Sequence, residues 1–212
     1  AKRFVANRPD MLEWIDSLTT PKVPTWQARE QERERKRMAR DAIRNAEHRA
    51  AYLADRDKLL TGDLGAQPAQ AYLGHFSDLP KDVPPNDRIA QWLGEDLQSD
   101  ALQGFEAYLT RDPPALTAEQ IAESWAESQY WPMAWVLVAA LMERVRHGAY
   151  FRGLADERLI AAMLQIEHGL ARSEEAKELG DALEAELLRR GAFEAYARLL
   201  IEPHLRSGRA HI

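Results

Sequence analysis

Apolar residues recur at three- and four-residue spacing along almost the whole chain, as in Leu102, Phe105 and Leu109. This spacing is typical of helices that bury one face. Alternating runs of β-branched and aromatic residues, and the Asn-Gly or Asp-Gly turns of hairpins, are missing. The pattern therefore predicts an all-α fold of about nine or ten helices.

The N-terminal part is predicted to hold a short helix after Pro9 and one long helix. Thr25 is the predicted N-cap of the long helix, which runs from Trp26 to about Leu60 and is closed by Gly62. The apolar stripe predicted for the long helix contains Met38, Ala42, Ala46, Ala50, Leu53 and Leu60. We assign residues 1–62 to this part and residues 63–212 to an array of helical hairpins.

Within the array, prolines, glycines and capping residues mark the predicted helix ends. Starts are predicted at Pro68, Pro85, Ser99, Pro132 and Ser173, and a break at Pro203. Thr117 and Gln120 form a capping box, since each side chain satisfies a backbone N–H group of the other. Residues 133–142 are apolar all round, which predicts a helix enclosed by others. Short connections, with starts spaced by about 33 residues, favour a solenoid-like stack of hairpins.

Composition narrows the possible chemistry. The chain of 212 residues is 45% hydrophobic and 29% charged and has no cysteine, which excludes disulfides, thiolate metal sites and a cysteine nucleophile. No targeting segment is visible, and the longest uncharged run, Tyr130 to Met142, is too short for the about 20 residues of a membrane span. We expect a cytoplasmic chain without membrane contact, and its start at Ala1 favours a piece of something longer.

Motifs for catalysis, metals and cofactors are also missing. No two of the six histidines lie three or four residues apart, and no phosphate-binding glycine loop is present. His168 and His204 follow acidic residues closely, but we expect solvated or capping side chains there. We therefore expect a protein that is not an enzyme and binds neither a cofactor nor a metal.

Three features point to binding. Arg33, Arg37, Arg40 and Arg44 lie on one helical face, which is either a solvated face or one that contacts an acidic protein or, as an alternative, a phosphate backbone. Trp131 and Trp135 could form a partner-binding hot spot or pack into the core. The body beyond residue 60 carries a net charge of −10 against +4 before it, and Glu175 and Glu178 belong to an acidic surface that could receive a basic partner.

The segments Ala71-Tyr72-Leu73-Gly74-His75-Phe76, Arg88-Ile89, Gly94-Glu95-Asp96 and Ala101-Leu102-Gln103-Gly104-Phe105 resemble helical regions of very large bacterial proteins of the STAND or NACHT type. The nucleotide-binding motifs that define that family are not in this sequence, so no functional residue is carried over. The resemblance implies a non-catalytic segment that senses, spaces or positions something for an effector elsewhere in a longer polypeptide.

Together these observations lead us to expect a scaffold or sensor module that contacts protein, within one polypeptide or between two. The alternative is a nucleic-acid-associated module that uses the arginine stripe. The sequence leaves the oligomeric state open, and a dimer through Met38, Ala42, Ala46 and Leu53 of the long helix is one expectation.

Overall fold

The structure, a computed structural model, describes residues 11, 25–76, 79, 82–169 and 174–208. These residues form ten α-helices and no β-strand, which confirms the predicted all-α class. In chain order the helices are α1 (Thr25–Ala54), α2 (Arg56–Leu60), α3 (Ala66–Tyr72), α4 (Pro85–Leu93), α5 (Glu95–Thr110), α6 (Ala118–Ala126), α7 (Ala134–Arg146), α8 (Asp156–His168), α9 (Glu174–Arg190) and α10 (Phe193–Ser207). Apart from Met11, the short helix predicted after Pro9 lies outside the described residues.

The chain divides into two compact units, residues 1–46 and 47–212. The predicted boundary after residue 62 differs from this division. Tyr52 and Leu59 are buried in the core of the second unit, so the last turns of α1 and the whole of α2 belong to that unit.

In the first unit, α1 is a highly charged helix in which every residue from 28 to 40 is exposed. Ion pairs form within this helix, with Glu32 to Lys36 at 3.4 Å and Glu34 to Arg37 at 3.8 Å. Such pairs contribute about 0.2–0.5 kcal/mol each. This part of α1 is therefore supported by helix propensity and local charge pairs.

The prediction of one continuous helix to Leu60 is wrong, because α1 ends at Ala54 and α2 begins at Arg56. Between them Asp55 leaves helical geometry, with φ −108° and ψ 33°. The interruption serves packing, since Arg56 pairs with the buried Asp100 at 2.6 Å and Leu59 is completely buried.

The predicted apolar stripe of the long helix is wrong in its last turns. Ala50 and Leu53 are exposed, whereas His48 and Tyr52 turn inward, where both rings meet Trp92 edge-on. An aromatic ring buries far more apolar area than alanine does, so Tyr52 decides which face of the helix is packed.

Helix α7 lies at the centre of the second unit. All nine residues from Ala134 to Met142 are buried, and α7 packs against α3, α5, α8 and α9. The predicted enclosed helix is thereby confirmed.

The predicted starts of α6 and α5 have different outcomes. The capping box is confirmed, because the Thr117 hydroxyl accepts a hydrogen bond from the backbone N–H of Gln120 and the Gln120 side chain accepts one in return. The start predicted at Ser99 is wrong, since α5 begins at Glu95 directly after Gly94. Gly94 adopts φ +106°, a conformation that favours glycine and lets α4 turn sharply into α5.

The break predicted at Pro203 is also wrong, because α10 continues through this proline to Ser207. Proline cannot donate the backbone hydrogen bond of its turn. Pro203 is buried, however, and lies close to the end of the helix, so packing of its ring against the body offsets the missing bond.

The side chain of Arg190 anchors the connection between α7 and α8. The guanidinium of Arg190 at the end of α9 donates to the carbonyl oxygens of Phe151 at 3.0 Å and Leu154 at 2.7 Å. It also pairs with Asp156 and Glu186. Hydrogen bonds from Arg189 and Arg190 lower the pKa of Glu186 to about 2, which keeps this cluster charged in mild acid.

Candidate functional site

A groove of about 340 Å³ lies between the start of α4, the second half of α7 and the first half of α9. Its apolar lining consists of Pro84, Pro85, Met142, Val145 and Leu179. Arg146, Glu175 and Glu178 supply the charged lining. A concave apolar surface with a few charged groups at its edge is typical of a site that receives side chains from a partner.

Helical spacing explains how this groove forms. Met142, Val145 and Arg146 are three and four residues apart on α7, and Glu175, Glu178 and Leu179 repeat the same spacing on α9. Residues at this spacing share one helix face. Each helix therefore turns a mixed apolar and charged face toward the groove, and Pro84 and Pro85 at the start of α4 close it.

Arg146 is held in place by several polar groups. Its guanidinium lies 3.4 Å from the side-chain oxygen of Asn86 and 3.6 Å from the carboxylate of Glu143. Hydrogen bonding to the Tyr72 hydroxyl raises the pKa of Arg146, so the group stays charged. Because Arg146 already has internal partners, the two carboxylates Glu175 and Glu178 give the groove its net negative character.

Beneath the groove, Tyr72 is a buried tyrosine whose hydroxyl donates to Glu143 Oε2 at 2.8 Å. Burial raises the pKa of Tyr72 well above its ordinary value. Tyr72 is therefore neutral at physiological pH and acts as a hydrogen-bond donor that links α3 to α7.

A second depression of about 240 Å³ lies between α5 and α7 and is lined in part by Glu143. Its charged groups pair with one another, since Arg144 binds the Glu106 carboxylate through two nitrogens at 2.7–3.1 Å and His147 lies 3.0 Å from Glu143. Mutually paired groups of this kind are typical of structural ion pairs. The ion pair of Arg144 with Glu106 therefore holds α5 against α7, and the charged groups of this depression are structural.

Two of the predicted arginines pair within their own helix. Arg37 lies 3.8 Å from Glu34 and Arg44 lies 3.1 Å from Asp41, and all four predicted arginines are exposed. Arg40 donates from Nε to the Lys36 carbonyl at 3.4 Å, while Arg33 is also exposed on this helix. The four arginines are thus exposed on α1, interleaved carboxylates neutralise part of their charge, and binding by them stays a prediction.

The two predicted tryptophans do not form a joint surface. Trp135 is only 7% exposed, and its ring packs edge-on against His75 at 4.5 Å. Trp131 precedes the start of α7 and is 48% exposed. A partner could therefore reach Trp131, whereas Trp135 belongs to the core.

His168 and His204 differ from the expected solvated side chains. The His168 ring stacks on Trp125 at 5.4 Å, and the His204 ring lies 5.1 Å from that of His168. The three rings join α6, α8 and α10, so these histidines take part in packing between helices.

The sequence indicates an acidic surface that includes Glu175 and Glu178, but it indicates neither the groove nor its apolar lining. Met142 belongs to the predicted enclosed helix, and Val145 has no predicted role. The available signal was the Pro84-Pro85 pair, which fixes the start of α4, but no sequence rule states that α4 lies beside α9.

Among the described residues, no group of three His, Asp or Glu side chains is placed to hold a metal ion. None of the helices in the described part of the chain is long and apolar enough to cross a membrane. Comparison of the chain with protein-family models, with curated proteins and with solved structures finds no match.

Proposed function

We propose that the protein is a non-catalytic helical scaffold or sensor module that binds protein through the groove between α4, α7 and α9. The observation that carries this proposal is the combination of five apolar lining residues with two carboxylates at the edge. The partner segment would insert a large apolar side chain next to Lys or Arg residues, which would face Glu175 and Glu178.

The packing order of the helices supports a role of this kind. Besides sequence neighbours, α5 packs on α7, α6 on α8, α7 on α9 and α8 on α10, and further contacts join α2 to α5, α3 to α7 and α6 to α10. Contacts between every second helix are typical of stacked helical hairpins, whose surfaces serve as binding platforms. We propose a solenoid-like module in a larger bacterial, cytoplasmic protein, in keeping with the STAND or NACHT resemblance.

The test is selection of 12-residue peptides from a display library on the full chain, followed by measurement of their dissociation constants. We expect the selected peptides to share a large apolar residue with Lys or Arg within two positions. Val145→Glu places a charge on the apolar floor and should weaken binding at least tenfold. Glu178→Lys removes the charge complementarity without disturbing the core and should weaken binding as well.

Glu184→Lys is the matched control, because this exposed glutamate lies on the same helix but opposite Glu175 and away from the groove. Peptides that bind both lysine variants equally well would overturn the assignment of the groove.

The alternative function, association with nucleic acid, has the exposure of the four arginines in its favour. Titration of the chain with a 20-base-pair duplex distinguishes nucleic-acid binding from protein binding. Salt-dependent duplex binding that disappears in Arg37→Glu with Arg40→Glu would favour this alternative.

A further inference from the structure

The outward face of α10 carries two exposed apolar side chains that are flanked by charged residues. Glu194, Arg198, Ile201 and Leu205 follow one another at spacings of four, three and four residues, and all are exposed. Ile201 is 53% and Leu205 75% exposed. This spacing is that of a helix seam that packs against a second helix.

The inward face of the same helix is already occupied. Tyr196 and Pro203 are buried, and α10 packs on α6, α8 and α9. The seam is therefore an additional face, separate from the one that fixes α10 to the body and from the groove beside α4.

The charges of this face are complementary to themselves. When two copies of α10 lie antiparallel about Leu200, Glu194 of each copy faces Arg206 of the other, and Arg198 faces Glu202. In the same register Leu205 lies opposite Ala195, which is also exposed. In a parallel arrangement in register, each charged residue would instead face its own copy, which is unfavourable.

The central charges already lie in the geometry that the pairing needs. Arg198 Nε is 3.1 Å from Glu202 within one helix. In the antiparallel pair the two copies of this ion pair would come together, so that four alternating charges form a ring beside Ile201.

We propose that α10 is a self-association surface, on which a second copy of this chain docks antiparallel about a two-fold axis. Each copy contributes two apolar and four charged side chains. The interface is therefore smaller than about 1,200 Å², the lower limit for stable protein–protein interfaces. The dimer is therefore weak, with a dissociation constant in the micromolar range, and its charged ring makes it sensitive to salt.

Sedimentation equilibrium of the full chain over about 5 to 500 μM tests the proposal. We expect the average mass to rise from 24.1 kDa toward twice that value, and to rise less when NaCl is increased from about 50 to 500 mM. Leu205→Arg should abolish the rise. Because Leu205 is largely in water, this change leaves the fold intact, as circular dichroism would verify.

Charge reversal tests the register itself. Arg198→Glu alone and Glu202→Arg alone should each remain monomeric, since like charges then face each other across the axis. An equimolar mixture of these two variants should dimerise again, because every facing pair is once more of opposite sign. Arg152→Glu, an exposed arginine outside α10, is the matched control and should dimerise like the wild type.

A chain that stays monomeric up to 500 μM would overturn the proposal. So would a dimer that persists in Arg198→Glu, or a mixture of the two variants that fails to associate. A dimer lost only in Met38→Arg would instead assign self-association to the long helix α1.

Discussion

The first-unit part of α1 and the central helix α7 are both regular helices, but different forces hold them. In α1 the residues from 28 to 40 are exposed and charge pairs run along the helix. In α7 the nine residues from Ala134 to Met142 are all buried. The contrast shows that one helix follows from its local sequence, whereas the other depends on the helices around it.

The largest expected loss of stability follows a substitution at Leu137 in α7, which is completely buried. Leu137→Ala leaves a cavity in the core and should lower the free energy of unfolding by about 2–5 kcal/mol. Urea denaturation followed by circular dichroism measures the change. Met38→Ala, at an exposed position of α1, is the control and should stay within about 0.5 kcal/mol of the wild type.

A loss in Met38→Ala as large as that in Leu137→Ala would show that α1 also depends on packing.

The close contact between α2 and α5 shows tight packing in the part of the second unit that follows α1 in sequence. A substitution at Gly104 tests it. A Cβ at Gly104 would overlap the carbonyl oxygen of Leu59, so Gly104→Ala forces two backbones apart. We expect a loss of about 3 kcal/mol in the free energy of unfolding, again from urea denaturation.

Gly180→Ala is a matched control in α9. It is also a buried glycine inside a helix, but a Cβ there meets only Ile166 at an ordinary 3.7 Å. It should stabilise the protein by about 0.5–1 kcal/mol through helix propensity. Equal effects at both glycines would contradict the close approach of α2 and α5.

The smallest effect concerns α1 itself. Ala39→Gly lowers helix propensity by about 1 kcal/mol at an exposed site. Because this part of α1 is held locally, the change should accelerate amide exchange of residues 26–46 about fivefold and leave the main urea transition in place. Hydrogen exchange read by mass spectrometry resolves the two regions.

Ala139→Gly makes the same substitution in α7, where Ala139 is fully buried. There the main transition should move to lower urea. If Ala39→Gly also moved that transition, the two helices would not differ in the way described above.

The sequence predicted most helices because their start signals are local. The capping box at Thr117 was found correctly because both partners lie within four residues. The start of α5 and the continuation of α10 through Pro203 were missed, since Gly94 and the burial of Pro203 act through neighbouring helices. The same reason explains the error at Ala50 and Leu53, because Trp92 selects Tyr52 from a distance of forty residues in sequence.

The candidate groove was predictable only in part. Its acidic residues stand out as charges on a helix face, and sequence alone shows them. Its apolar lining comes from three helices, and Val145 differs from an ordinary core residue only through the position of α9. The outward face of α10 was likewise hidden, because the expected break at Pro203 removed Leu205 from the helix.

The anchoring of the α7–α8 connection by Arg190 has a consequence for the order of events during synthesis. The connection precedes its anchor by 36 to 39 residues, and a ribosome adds residues from the N-terminus onward. The hydrogen bonds from Arg190 to the carbonyl groups of Phe151 and Leu154 can therefore form only after the end of α9 has emerged. The nascent chain can form α7 and α8 earlier, with the Arg152 carbonyl already bound by Arg144 of α7, and Arg190 completes the anchoring of the connection when α9 arrives.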